Sequence, residues 1–258
     1  MAMIPSIRHE IVGPSNARHR LRIAHLSDLH LWFSGRKLRH IERQIEAVKP
    51  DVLALTGDYA DTPSGRRLAI DWMRKMAATY PLCWVAGNHD RWWGRRFLEE
   101  LERLPRAWAI DRHDAWITGK LGCRYRFTSL ARAVNPEFSE PRCVPTVVLL
   151  HDPHEIVPEK LQGMRDGMLL AGHLHGGQIN LWRDGQGQPQ PAASCYKWLA
   201  DRSMVGSVPL IVSRGLGDTL PLRIGAPMEI VVVDFFTCPE THVVTTTHSR
   251  DASAPALL

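Results

Sequence analysis

Short apolar runs alternate along this chain with segments in which apolar residues recur at helical spacing. Leu21 to Leu26, Val52 to Thr56, Leu82 to Val85, Thr146 to Leu150, Met168 to Ala171, Leu210 to Val212 and Met228 to Phe236 are mostly continuous and rich in β-branched residues. That is the pattern of strands buried on both faces. Between them, Leu38, Ile41, Ile45 and Val48 share one helical face, Ala69, Trp72, Met73 and Met76 a second, and Phe97, Leu98, Leu101 and Leu104 a third. The alternation predicts an α/β layered protein. Periodicity weakens from Ala107 to Pro145, where strands are expected at Trp108 to Ile110 and Arg124 to Leu130 before a proline-marked loop. It weakens again from Gly176 to Pro209, which reads as long surface loops over the sheet ends, where loops commonly shape a substrate pocket. The small, polar, aperiodic residues Ser249 to Leu258 read as a frayed tail.

With 258 residues, 44% of them hydrophobic, the chain suits one well-buried core, and a single domain over 1–258 is expected, its core about 22–236. No run of about eighteen apolar residues suggests a transmembrane helix, and the first twenty residues hold no apolar stretch of signal-peptide length. A soluble, cytoplasmic protein is expected, with peripheral membrane contact left open. Cys83, Cys123, Cys143, Cys195 and Cys238 are scattered and odd in number, so they read as reduced and structural. The net charge of +5 suits an acidic partner, yet it is spread in small groups such as Arg36-Lys37 and Arg66-Arg67. Without basic runs interleaved with aromatics, no stable nucleic-acid partner is expected.

Chemistry enters where the apolar runs stop. Asp28 and His30 follow the first strand with one residue between them, so both side chains project the same way. Gly57-Asp58 ends the second strand; an ionised aspartate there is expensive unless partnered, and a carboxylate bridging two cations removes that cost. Gly87-Asn88-His89-Asp90 places an amide oxygen, an imidazole and a carboxylate within one turn. Asn88 suits a hard cation, His89 is free for acid chemistry, and Asp90 is the neighbour expected to orient it. His151 ends the next strand, and His173 and His175, flanked by Gly172 and Gly176, end the one after. Each motif alone reads as a turn or cap; three histidines at two neighbouring strand ends are harder to explain so. Asp61 reads as a loop residue, with support behind the metal ligands as the alternative, His25 reads as core, and His9, His19, His40, His113 and His154 as lying outside the site.

In this order, the set resembles the calcineurin-like metallophosphoesterase superfamily over about Arg22 to Phe236. His173-Leu174-His175-Gly176-Gly177-Gln178, Ser213-Arg214-Gly215-Leu216-Gly217, Pro221 and Pro227-Met228-Glu229-Ile230 resemble a bacterial phosphohydrolase branch that includes some enzymes of lipid A precursor cleavage. Where that branch carries a Gly-Val-Asp-Asp-like segment, this chain has Thr128-Ser129-Leu130-Ala131-Arg132. The resemblance implies two mixed β-sheets packed face to face and flanked by helices, a four-layer sandwich with metals at the strand ends. It implies one divalent ion held by Asp28, His30, Asp58 and His175 and a second by Asp58, Asn88, His151 and His173. Manganese is favoured, with iron or zinc as alternatives. His89 takes the place of the histidine that contacts the scissile phosphate.

The activity expected is phosphodiester hydrolysis. The alternatives are a pyrophosphohydrolase acting on a nucleotide-sugar lipid, with Trp92, Trp93, Trp182 and Trp198 as candidate acyl-chain contacts, and a non-catalytic metal-binding scaffold. A phosphoprotein phosphatase is disfavoured: those members show Gly-Asp-x-x-Asp-Arg-Gly, whereas Thr62-Pro63 follow Asp61 here. Arg91 and Arg214 are candidate contacts to a substrate phosphate, either a small phosphate ester or a lipid-linked one.

Overall fold

The computed structural model describes residues 4–14, 16–135, 137, 144–164, 166–183, 189–191, 198, 201–218 and 223–237. The tail at 249–258, Pro221, Cys143, Cys195, Cys238 and the Trp182 side chain lie outside the described residues. Strands and helices run in the order β1 Ser6–Val12, β2 His19–Leu26, α1 Arg36–Val48, β3 Val52–Leu55, α2 Pro63–Thr79, β4 Leu82–Trp84, α3 Asn88–Trp92, α4 Arg95–Glu102, β5 Ala107–Ala109, β6 Ala115–Thr118, β7 Arg124–Ser129, α5 Leu130–Ala133, β8 Thr146–Leu149, β9 Gly167–Ala171, β10 Asn180–Arg183, β11 Pro189–Pro191, β12 Arg202–Val205, β13 Val208–Val212 and β14 Glu229–Thr237.

Two mixed six-stranded sheets result, ordered β1-β14-β2-β3-β4-β5 and β12-β13-β9-β8-β7-β6. Strands β2 to β5 are mutually parallel, as are β7, β8, β9 and β13 and the pair β1 and β14, while β14 with β2, β6 with β7 and β12 with β13 pair antiparallel. Strand alternation assigns the faces: Val52 and Ala54 of β3 meet Val147 and Leu149 of β8 in one core between the sheets. Leu53 and Leu55 turn the other way, onto α1, α2 and α4. The far side of the second sheet, Val148, Leu169 and Leu210, is covered by Leu130 of α5 and by Ile156 and Leu161 from short 3-10 turns. The sandwich flanked by helices is therefore present, with long helices on one side and short ones on the other.

Burial rather than propensity holds α1 in place. No side chain caps its start, but Leu38, Ile41 and Ile45 are buried and Val48 packs beside them. At roughly 1.5–3 kcal/mol per fully buried aliphatic side chain, that stripe outweighs propensity differences of a few tenths per residue. Helix α2 is capped by Thr62, whose hydroxyl accepts from the Gly65 N–H, with Pro63 at its first position. His25 is core, its Nε2 2.9 Å from Thr56 Oγ1, and burial pushes its pKa down to about 3.

Two expectations need correction here. Residues 176–209 hold β10, β11 and β12 rather than loops alone. Strands β1 and β6 also had no counterpart in the apolar pattern: both lie at sheet edges, and β1 carries Arg8 and Glu10, which are held by ion pairs to Glu229 and Arg202 instead of apolar packing.

Candidate metal centre

Parallel strands of both sheets end on one side of the molecule, which sends the segments after β2, β3, β4, β8 and β9 to a common edge. Asp28, His30, Asp58, His173 and His175 all have φ between 40° and 70°, the left-handed region that side-chain-bearing residues avoid. Strain of roughly 1–3 kcal/mol per residue persists only where surrounding bonds impose it. Those bonds are present: the Asp28 N–H donates to Gly57 O, His30 N–H to Asp58 O, and Lys37 Nζ to Leu29 O from inside the fold. Two glycines leave the necessary room. A Cβ on Gly87 would stand 2.1 Å from Asp58 Oδ1, and one on Gly172 2.6 Å from Asp28 Oδ2.

The seven predicted ligands come together. Asp28, His30 and His175 form one group, and Asp58, His151 and His173 another, each with ligand atoms within 4.8 Å of one another. Asn88 Oδ1 reaches the second group, 2.9 Å from His151 Nε2. Asp58 Oδ2 lies between the groups, 3.7 Å from His30 Nε2 and 3.4 Å from His151 Nε2. Asp28 is fully buried and Asp58 2% exposed.

The donor chemistry fits cations. His151 Nδ1 sits 2.6 Å from the Thr56 carbonyl oxygen, so that nitrogen carries the proton and donates it. Nε2 then turns a lone pair toward Asn88 Oδ1, toward Asp58 Oδ2 and toward His173 Nδ1 at 3.1 Å. His30 repeats the arrangement, Nδ1 2.9 Å from Asp61 Oδ1 and Nε2 3.3 Å from His175 Nε2. Facing lone pairs repel, and a positive charge among them turns repulsion into ligation. The same surroundings favour a proton on His151. Burial opposes charging His151, yet its bond to Asp58 and the charges of Asp28 and Asp58 lift its pKa to about 9. Burial likewise opposes ionising Asp28, and the imidazoles of His175, His151 and His30 outweigh it, holding that carboxyl below its ordinary value. Metal binding must displace such protons.

Asp61 and Asp90 exchange the roles the sequence suggested. Asp90 is fully buried and accepts the backbone N–H groups of Asp58, Tyr59 and Gly87 at 2.7–2.9 Å, fixing the Asp58 turn and leaving His89 to another partner. Burial, then the nearby Asp58, pushes its pKa up to about 7. The orienting carboxylate is Asp61: its Oδ1 lies 2.8 Å from His89 Nδ1, and it also meets His30 Nδ1 and accepts from Trp32 Nε1. The His89 ring packs on Trp92 with centroids 4.2 Å apart. His30, Asp61 and His89 form a third group able to take a metal.

The two arginines chosen from sequence are engaged elsewhere. Arg91 is exposed and 3.9 Å from Asp111. Arg214 is held by Asp201 and Glu229. The arginine at the site is Arg223, buried, with Nη2 3.1 Å from His175 Nδ1 and Nε 2.7 Å from Asp218 Oδ1. Asp218 Oδ1 is in turn 3.3 Å from His175 Nδ1. The signal for this pair was the Ser213 to Gly217 segment, whose next residue is Asp218. Of the tryptophans, Trp92 is 74% exposed, while Trp93 is partly buried and donates to Ala60 O. Trp198 packs against the core beyond the second sheet.

A layered sandwich that gathers buried aspartates and histidines into metal-ligating groups at its strand ends has the makings of a metallophosphoesterase. The model of the calcineurin-like phosphoesterase family matches residues 21–214, and the chain belongs to that family. It is similar to the metallophosphoesterase YkuE of Bacillus subtilis, 28% identical over 225 residues, covering 82% of this chain and 77% of YkuE. It is also similar to the phosphodiesterase YaeI of Escherichia coli, 23% identical over 197 residues, covering 72% and 70%. Among solved structures, phosphopantetheinyl hydrolase (PptH) from Mycobacterium tuberculosis aligns with a TM-score of 0.41 at 14% identity, covering 75% of this chain and 89% of that one. No helix among the described residues is long and apolar enough to cross a membrane.

Proposed function

We propose that this protein is a dinuclear metal-dependent phosphodiesterase. The observation that supports the reading is the position of Asp58 Oδ2, 3.7 Å from His30 Nε2 of one group and 3.4 Å from His151 Nε2 of the other. One ion would be held by Asp28, His30, Asp58 and His175, the other by Asp58, Asn88, His151 and His173. Cations held there would supply positive charge for the phosphate oxygens and lower the pKa of water. Mixed carboxylate, amide and imidazole ligation favours Mn²⁺, with Fe or Zn²⁺ as alternatives.

Asp58 sets the spacing between the two groups, and Asp90 holds Asp58 through the turn backbone. Asp61 fixes the His89 ring through Nδ1, which leaves the other ring nitrogen to protonate the departing alkoxide. Arg223 and Asp218 fix His175 from behind. A carboxylate-supported acid beside the ligand groups has no use in a scaffold that only binds metal, which favours an enzyme. A pyrophosphohydrolase acting on a lipid-linked nucleotide is the second reading, favoured by the exposed indole of Trp92 next to His89.

Chromogenic esters test the assignment. After chelation and reloading with Mn²⁺, the protein is expected to hydrolyse bis-p-nitrophenyl phosphate with kcat/KM above that for p-nitrophenyl phosphate, and neither without metal. Faster turnover of the monoester would overturn the diester preference, and silence toward both would favour the scaffold.

A further inference from the structure

Exposed aromatic side chains gather at the site. Trp32 is 42%, Phe33 73% and Trp92 74% exposed. Trp32 donates to Asp61 Oδ2 at 2.9 Å, Phe33 sits beside Trp32 with ring centroids 6.1 Å apart, and Trp92 lies on His89, whose Nδ1 meets the same Asp61. All three therefore fringe the Asp61–His89 pair. By contrast, the exposed Trp116 is covered by Arg124, whose guanidinium lies 4.6 Å from its ring.

Arginines stand beside this rim, Arg95 in a pair with Glu99 at 2.7 Å. The two aromatic segments read Trp32-Phe33-Ser34-Gly35-Arg36 and Trp92-Trp93-Gly94-Arg95-Arg96, and in each a glycine leads into a helix that opens with arginine. Arg36, Arg95 and Arg96 are exposed, and neither first turn holds an acidic residue. A helix start favours negative charge, so the dipole does not account for cations there, and within α4 Arg95 alone of the two arginines meets Glu99 one turn on. Indole and phenyl rings with neighbouring arginines match the layer of a bilayer where apolar and charged groups mix.

We propose that this rim docks on an anionic bilayer, with Trp32, Phe33 and Trp92 entering the headgroup layer and Arg36, Arg95 and Arg96 meeting lipid phosphates. The docking stands on exposure and charge; only its corollary, that the substrate is a phosphoester carried at the bilayer surface, rests on the phosphodiesterase reading.

Sedimentation of the full, Mn²⁺-loaded chain at low ionic strength tests the docking. The expected result is pelleting with vesicles of phosphatidylglycerol mixed with phosphatidylcholine, with a partition coefficient at least about tenfold above that for phosphatidylcholine alone. The double variant Phe33→Ala/Trp92→Ala and the double variant Arg95→Glu/Arg96→Glu are each expected to lower that partition by about tenfold or more. Phe33→Ala alone, whose residue lies outside the proposed catalytic machinery, should keep wild-type hydrolysis of a water-soluble diester, showing that the fold is intact. Equal recovery with both vesicle types, partition unchanged in both double variants, or lipid-independent self-association through this face would overturn the proposal. Vesicle binding without diester hydrolysis would remove the phosphodiesterase reading and leave the docking; hydrolysis without vesicle binding would do the reverse.

Discussion

Asparagine in place of Asp58 is expected to lower the metal content from two ions per chain to one or none and to cut diester turnover by about 10³-fold or more. That loss corresponds to about 4 kcal/mol of barrier, in line with the several kcal/mol a metal site contributes. The amide keeps the shape of the carboxylate but not the charge that serves both ligand groups. The turn itself should survive, because its backbone is pinned by the three N–H groups that Asp90 accepts. In the metal-free state Asp58→Asn removes both the repulsion of Asp28 and Asp90 and the attraction of His151 and His30, which oppose one another. Thermal unfolding of chelated wild type and variant should therefore nearly coincide, while elemental analysis and turnover separate them. Wild-type metal content and rate in a folded Asp58→Asn variant would remove the shared carboxylate from the account.

His89→Ala gives the second large effect and should divide metal binding from chemistry. Both ions are expected to remain, because His89 belongs to neither of the two groups joined by Asp58, while turnover falls on the order of 10²–10⁴-fold through loss of the acid. Asp61→Asn should have a smaller effect, about 10–100-fold, since it removes the charge that orients the His89 ring and leaves the ring in place. The loss is expected in kcat, and it should shrink for esters with good leaving groups, which need no proton. If His89→Ala instead releases an ion, the group of His30, Asp61 and His89 is itself a metal site and the general-acid role fails.

The sandwich was legible because its central strands are buried on both faces, which writes continuous apolar runs into β2, β3, β4, β8 and β9. All seven candidate ligands could be read because each lies just past such a run, where a polar residue is conspicuous. Edge strands escaped for the opposite reason: β1 has a hydrogen-bonded strand neighbour on one side only and mixes apolar residues with Arg8 and Glu10, which are held by ion pairs. For Asp61 the loop reading was the preferred one, because a carboxylate three positions after Gly57-Asp58 shows no partner in the sequence until His30 and His89 fold against it. Asp90 shows the same limit from the other side. Neighbours on a helix point in different directions, so adjacency to His89 did not make it the partner of that ring. Arg91 follows the same helical geometry and meets Asp111, whereas Arg223 reaches His175 across a gap of 48 residues that no local pattern records.

The central claim is that two divalent ions share Asp58. Anomalous diffraction at the manganese edge, from crystals of Mn²⁺-loaded active protein, tests it most directly. Two peaks about 3.5–4 Å apart, with Asp58 within ligating distance of both, are the predicted result. A single peak, or peaks away from Asp58 in a fully active preparation, would contradict it.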